Sequence, residues 1–527
     1  MNMSQRKSFL NLMLVCVLAA TVLLPAIAPA QDMQSISRAE LNDKIRGGMA
    51  GQMVGVAYGY PTEFRFLGEI VDSELKWTPD MVSNALEQDD LYVEMTFAEV
   101  MDRVGVDATS EQYGDAFRDS KYPLWHANAA ARRHLNNGVK APMSGHPQYN
   151  IHANDIDFQI EADFIGLMTP GMPQETIKFC DRVGRVMNYG DGVYGGNFIC
   201  GMYAAAFFES DVKKIVETGV ACMPKGSGYR AIIEDVIAEY EKNPGDWKAC
   251  WKNINAKWDK HDSCSDGALK PFNIDARLNG AYIAIGMLYG EGDFAKTMDI
   301  SLRCGQDSDC NPSSAAGIIG VIQGYKALDP AWVSGIPAIA NDKFLFTDYS
   351  YEEFVASTEK RALATVDRAG GKIDGDTIWI PKQTPVAPAL EQWSMGTPLA
   401  SITVVDPGWK WSGNWEADEG SEIWWDPPTR TTEEVGSEAT VKFTGTGVAL
   451  VGLHSTKGGM ADIYLDGEKV AEVNAYIPED TTERDLWHNT ELDEGTHTLR
   501  VVVKEEADPR STGHYFSIAR VIAFDSE

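Results

Sequence analysis

In the stretch CGQDSDC, residues 304–310, Asp307 and Asp309 stand one residue apart between two cysteines, and the chain runs on into NPSSAAGIIGVIQGY. Asn311 followed by Pro312 reads as an N-cap and a first helical residue, which places both aspartates in the turn that opens a helix of small residues. A second pair, Asp89 and Asp90, stands where another helix begins near Leu91. Carboxylates at such positions face the positive end of the helix dipole and the unpaired N–H groups of the first turn. Either pair alone reads as a cap. Two pairs brought together repel, and a hard divalent cation relieves the repulsion through oxygen ligands at about 2.0–2.5 Å. That chemistry requires the two helix starts to meet in space.

The elements that must bring them together are legible from periodicity. From residue 36 to about 370 apolar residues return every three or four positions, as with Leu91, Met95, Ala98 and Met101 in EQDDLYVEMTFAEVMDRV. YRAIIEDVIAEYEK and ARLNGAYIAIGMLYG repeat the pattern, so 36–370 is expected to be an all-α domain. Residues 371–400 are rich in proline and glycine with little helical period and read as a linker. From 401 to 527 the period falls to two, in ATVKFTGTGVALVGLHS, MADIYLDGEKVAEVNAY and HTLRVVVKE, with a hairpin signal at Asp466-Gly467. This second domain is expected to be a β-sandwich of jelly-roll type.

Residues 1–30 have a basic start, an apolar stretch and an Ala-Pro-Ala ending, which reads as a cleaved export signal and places the mature protein in the periplasm or outside the cell. Pro25 and Pro29 argue against a retained anchor. The formal net charge of −31 makes nucleic acid and anionic membranes poor partners. Of the 8 cysteines only Cys16 belongs to the leader, so an odd number remains and at least one thiol is not in an internal disulfide.

Three segments resemble the ADP-ribosylglycohydrolase family, all-α proteins with a two-magnesium centre. KIRGGMAGQMVGVAYGYPTEF (44–64) is similar to its N-terminal glycine-rich helix and turn, EQDDLYVEM to its Thr-Asp-Asp motif, and GQDSDCNPSSAAGIIGVIQGY to its Gly-Gly-Asp-Ser/Thr-Asp-Thr motif. The resemblance implies that Asp89, Asp90, Asp307 and Asp309 are ligands of one or two Mg²⁺ ions, with Ca²⁺ or Mn²⁺ as alternatives, and that Glu63 is the acidic residue beside metals and substrate. The chain departs from the family at Gln88, Cys310 and Val56, where threonine, threonine and aspartate are usual. A thiol is a poor ligand for magnesium or calcium, so Cys310 either leaves the shell or pairs with Cys304, and a single ion becomes an option.

Where the family has a substrate-contacting segment, this chain has NIHANDIDFQIEADFIGLMTPGMP (150–173). Asp157 and Glu161 are one helical turn apart and share a face, and Asp163 falls elsewhere on the wheel. Two of Glu63, Asp157, Glu161 and Asp163 are expected to act as acid and base. His152, Asn154 and Asp155 are candidates for holding sugar hydroxyls, with a structural histidine as the alternative, and Asp191 in NYGDGVYGG is either a substrate contact or a turn residue. Asn273, Asp275 and Asn279 either line the pocket or cap the helix, and capping is the preferred reading. Trp409, Trp411, Trp415, Trp424 and Trp425 supply rings that stack on sugars or fill a core.

Export, a sugar-binding-like second domain and the altered substrate segment point to a metal-dependent glycoside hydrolase acting on an extracellular glycan or glycoside. The alternatives are hydrolysis of ADP-ribosylated substrates and a non-catalytic glycan-binding protein.

Overall fold

The computed structural model describes residues 32–259, 264–421, 427–479 and 485–526. Residues 1–30, read above as a leader, and the rings of Trp424 and Trp425 lie outside the described residues. Among those described, no helix is long and apolar enough to cross a membrane.

Helices fill the region from Arg38 to Arg368. Those at its centre, Arg38–Gly59, Asp191–Ala206, Ala276–Gly290 and Cys310–Gln323, are buried over most of their surface. Their sequences are rich in Gly, Ala and Ile, as a helix surrounded by others requires. Two of them touch backbone to backbone. Gly47, Gly51, Gly55 and Gly59 recur every four residues along one face of the first helix, and a Cβ on them would lie 2.2, 2.3, 2.3 and 2.1 Å from the carbonyl oxygens of Gly320, Ala316, Pro312 and Ser308. No side chain fits there. The pairing is antiparallel, so the end of the first helix is fixed beside the start of the Cys310–Gln323 helix.

That start lies earlier than the sequence suggests. Asp309 is the N-cap and Cys310 the first helical residue, because the Asn311 N–H donates to the Asp307 carbonyl (3.3 Å) and the Ser313 N–H to that of Asp309 (3.1 Å). Pro312 still falls in the first turn, where a missing N–H costs no intrahelical bond. Asn311 is buried instead and donates to Asn279 Oδ1 (2.9 Å). Asp275 caps the Ala276–Gly290 helix, accepting from the Arg277 N–H at 2.7 Å.

The segment read as a linker holds structure. Lys372–Asp374 and Thr377–Pro381 form a hairpin, and the second strand pairs antiparallel with Met33–Ser37. Ile36, Ile378 and Ile380 of this three-stranded sheet are buried against the helices. The next strand, Thr397–Thr403, already belongs to the β-domain.

The β-domain is a sandwich. One sheet runs in the order Glu468–Asn474, Met460–Leu465, Gly495–Val503, Glu438–Gly445, Lys410–Ser412, the other Asp485–Asn489, Gly447–Val451, Arg520–Asp525, Thr397–Thr403. The Asp466-Gly467 turn has positive φ at both residues, 51° and 94°, as a tight hairpin demands. Glu438–Gly445 alternates between buried and less buried positions, whereas Gly447–Val451 is buried at every one. The difference has a cause: Ala449, Val451, Ile522 and Phe524 face away from the sandwich core and pack on Ile151 and Ala268 of the helical domain. Polar contacts surround that seam. Arg520 donates to the Ser265 carbonyl (2.7 Å), Arg510 to the Asn136 carbonyl (2.8 Å), Asn154 to the Trp393 carbonyl (3.0 Å), and His488 Nε2 meets the Pro147 carbonyl (2.6 Å). In the tryptophan-rich segment Trp409 and Trp415 are buried, and Trp411 stacks on Trp409 with centroids 4.9 Å apart. Trp409 and Trp415 are core residues, and Trp411 packs half-buried against them.

Candidate active site

The site forms where the glycine-paired helices end. Beyond Gly59 the chain turns through Tyr60–Thr62 and is stitched to the 304–309 loop: the Phe64 N–H donates to the Gln306 carbonyl (3.0 Å), that of Gln306 to the Phe66 carbonyl (3.0 Å), and the Thr62 and Ser308 hydroxyls are 2.8 Å apart. Glu63 is thereby carried to Asp307 and Asp309. Asp89 and Asp90 arrive from the start of the Asp89–Val104 helix, and Ser313 donates to Asp90 Oδ2 (2.8 Å). The two helix starts do meet.

Their meeting shows in the ionisation of Glu63, Asp307 and Asp309. Glu63 is pushed up to about 9, first by Asp309, then by burial, with Asp89 and Asp90 adding to it. Asp307 is pushed up to about 7 by burial, with Glu63 and Asp89 reinforcing it. Asp309 and Asp90 are driven well above the usual carboxylate range by burial and by their aspartate neighbours. Asp90 Oδ1, Asp307 Oδ1 and Asp309 Oδ1 are buried with no hydrogen-bond partner among the described residues. A cluster of like charges with unpartnered, inward-facing oxygens fits a hard divalent cation, which would restore the carboxylates and satisfy those atoms.

Three of the five carboxyls line one side of a cleft of about 450 Å³, Glu63, Asp89 and Asp307 with Cys310 and Gln88, and Asp157, Asn128, His126, Trp125 and Phe272 line it elsewhere, while Asp90 and Asp309 are buried behind that wall. Gln88 donates to Asn84 Oδ1 (2.8 Å). Val56 is fully buried in the first helix. Cys310 offers its thiol within 4.8 Å of the Asp307 and Asp309 oxygens, and Cys304 donates to the Ile300 carbonyl (3.3 Å). Neither is in a disulfide, so the Cys304–Cys310 pair does not form, and none of the other described cysteines is disulfide-bonded.

Of the remaining candidates Asp157 alone reaches the cleft. It opens the short helix Asp157–Ile160 and accepts the N–H groups of Ala127 (3.2 Å) and Asn128 (2.9 Å) at the start of the His126–Asn136 helix. Burial raises it to about 7, with Asp155 adding to the shift. Glu161 lies beneath it, fully buried, and takes a hydrogen bond from the Asn128 side chain, so Asn128 joins the two carboxyls expected to share a face. The helix itself breaks there, and Glu161 does not line the cleft. Asp163 points into the protein instead, accepting from the Ser314 hydroxyl (3.0 Å) beside buried Glu94, which accepts the Phe164 N–H (2.8 Å).

The expected sugar-binding residues are placed differently. His152, Asn154 and Asp155 are buried in the seam with the sandwich: His152 Nδ1 is 2.7 Å from Asp155, its Nε2 meets the Asp485 carboxylate, and Asn154 is turned to Trp393. Asp191 accepts the Tyr229 N–H (3.1 Å) at a junction of two helices, away from the cleft. Conversely, His126, Trp125, Asn128 and Phe272 line the cleft without a motif to mark them. His126 has φ of 46°, an uncommon backbone for a non-glycine residue, and nothing in WHANAA announces it.

The family model of ADP-ribosylglycohydrolase matches residues 37–362, and the chain belongs to that family. A solved structure described as an ADP-ribosylglycohydrolase-related protein complex aligns over 62% of this chain and 99% of its own, with 15% identity and a TM-score of 0.44. Two proteins of Flavonifractor plautii share shorter segments. The A type blood alpha-D-galactosamine galactosaminidase is 41% identical over 90 residues, 17% of this chain and 8% of that protein. The A type blood N-acetyl-alpha-D-galactosamine deacetylase is 31% identical over 91 residues, 17% of this chain and 12% of that protein. The chain thus spans a small part of the length of the curated relatives it matches.

Proposed function

We propose that the protein is an exported, metal-dependent glycoside hydrolase acting on an extracellular glycan or glycoside. The observation that carries this reading is the convergence of Glu63 and the two aspartate pairs at one side of a cleft that Glu63, Asp89, Asp307 and Asp157 line. Family membership and the carbohydrate-active relatives support the reaction class.

In this reading Asp89, Asp90, Asp307 and Asp309 would hold the cation, Mg²⁺ by the chemistry of their carboxylates, with Ca²⁺ or Mn²⁺ as substitutes and the nearby Cys310 thiol left out of the shell. Bound there, it supplies positive charge that orients sugar hydroxyls and polarises water. The rest belongs to the chain. Asp157, fixed by two backbone N–H groups, accepts or supplies the proton at one side of the scissile bond, and Glu63 does so from the acidic side. Trp125 and Phe272 exclude water and present apolar faces to a sugar ring.

The test is incubation of the purified protein with α-N-acetylgalactosaminides and a wider oligosaccharide panel, with and without chelator. Sugar release that stops on chelation and returns with Mg²⁺ or Mn²⁺ is the expected result. Chelator-insensitive release removes the metal from the reaction. Release of ADP-ribose from modified arginine or serine peptides, with no glycan cleaved, would favour the family's usual substrate class instead, and tight glycan binding without turnover would favour a binding protein.

A further inference from the structure

Behind the His126 wall of the cleft, His126, His152, Asp155 and Cys264 bring two imidazoles, a carboxylate and a thiol together, with ligand atoms all within 4.8 Å of one another. We propose that these four residues bind a zinc ion, distinct from the cation of the acidic pairs. The separations bracket those of a tetrahedral shell. His126 Nδ1 is 3.8 Å from Asp155 Oδ2 and 3.8 Å from Cys264 Sγ, and His152 Nδ1 is 2.7 Å from Asp155 Oδ2 and 3.3 Å from Cys264 Sγ. Zinc bonds of about 2.0–2.3 Å at tetrahedral angles place neighbouring ligand atoms about 3.3–3.7 Å apart, so small side-chain adjustments close the shell.

A second, independent observation points the same way. Both histidines present Nδ1 to the cluster, and the opposite nitrogen of His152 meets the Asp485 carboxylate. A carboxylate on the far nitrogen fixes the tautomer and orientation of a metal-bound imidazole. His152, Asp155 and Cys264 are buried, and His126 reaches the cleft, which supplies the entry path. The mixed nitrogen, sulfur and oxygen set selects zinc over magnesium or calcium, whereas the all-oxygen aspartate pairs do the reverse. Four protein ligands leave no open position, so the ion is structural: it fixes the first turn of the His126–Asn136 helix, whose N–H groups hold Asp157, and couples it through His152 to a strand of the sandwich.

The experiment is metal analysis of the full chain purified from zinc-replete cells, followed by cobalt substitution. One zinc per chain is expected, and the Co²⁺ form should show tetrahedral d–d bands with a thiolate charge-transfer band that Cys264→Ser removes. Asp485→Asn should keep that band while weakening zinc by roughly 10–100-fold in competition with a chromophoric chelator. The double variant Asp307→Asn, Asp309→Asn should retain zinc, which separates this site from the acidic pairs even if no glycan is cleaved. Absence of zinc, a cobalt spectrum without thiolate character, or full zinc affinity in Asp485→Asn would overturn the assignment. Should Cys264→Ser fail to fold, the Asp485→Asn titration and the wild-type cobalt spectrum still decide.

Discussion

Asp157 and Asp163 look alike in the sequence, two aspartates in one acidic stretch, yet the fold gives them opposite surroundings. Asp157 opens onto the cleft with two backbone N–H donors behind it, and Asp163 is sealed inside, accepting from the Ser314 hydroxyl. If Asp157 carries the proton as proposed, Asp157→Asn keeps the shape and removes that function, so kcat should fall by roughly 10²–10⁴-fold with the melting temperature little changed. Asp163→Asn should do the reverse, leaving kcat within a few-fold of wild type while moving the melting temperature. Steady-state kinetics beside a thermal melt on both variants separates the roles, and equal losses of kcat would contradict them. Residue types alone could not have drawn this distinction. The chain displays its acids, but exposure to a cleft is decided by which helices close over them, and His126 and Cys264 carry no local signal because their partners lie far off in sequence.

At the scale of elements, the glycine face of the first helix is the device that brings Glu63 to Asp307 and Asp309. Gly55 would place a Cβ 2.3 Å from the Pro312 carbonyl oxygen, in the first turn of the helix that follows the Asp307-Asp309 loop. Gly55→Ala should therefore push the two helices apart, costing about 1–3 kcal/mol, and should weaken divalent-cation binding although no ligand is altered. Urea unfolding and titration calorimetry with Mn²⁺ read the two effects, and a variant that loses stability while binding the cation unchanged would show that helix spacing does not set the site. Much at this scale was legible. The helix from Asp89 and the Asp466-Gly467 hairpin follow from period and turn chemistry, because both are local. The hairpin of 372–381 was not, since its stability comes from Met33–Ser37, more than three hundred residues away. The start of the Cys310–Gln323 helix moved for a related reason: Asn311 is needed inside, against Asn279, so it does not cap.

On the scale of the whole molecule, the sandwich is built into the enzyme rather than hung from it. The strands Gly447–Val451 and Arg520–Asp525 bury both faces, one in the sandwich core and one on Ile151 and Ala268, and neither domain could expose that seam to water without uncovering an apolar surface. Period-two patterning reveals that a strand has a buried face, and a strand buried on both sides hides the second partner, so the docking was invisible in the sequence. The seam also lies directly behind the cleft, since His152 and Asp155 on the helical side and Asp485 on the sandwich side meet there. The two domains should consequently unfold as one unit. Calorimetry of the full chain is expected to give a single transition, and Ile522→Ala, which empties a fully buried position in the seam, should lower the stability of that whole transition by about 2–5 kcal/mol. Far-UV signals from the helices and near-UV signals from the aromatic side chains of both domains should shift together. Two separated transitions, with only one of them moved by Ile522→Ala and the helical far-UV signal left in place, would show a tethered accessory domain and would remove the mechanical link between the sandwich and the cleft.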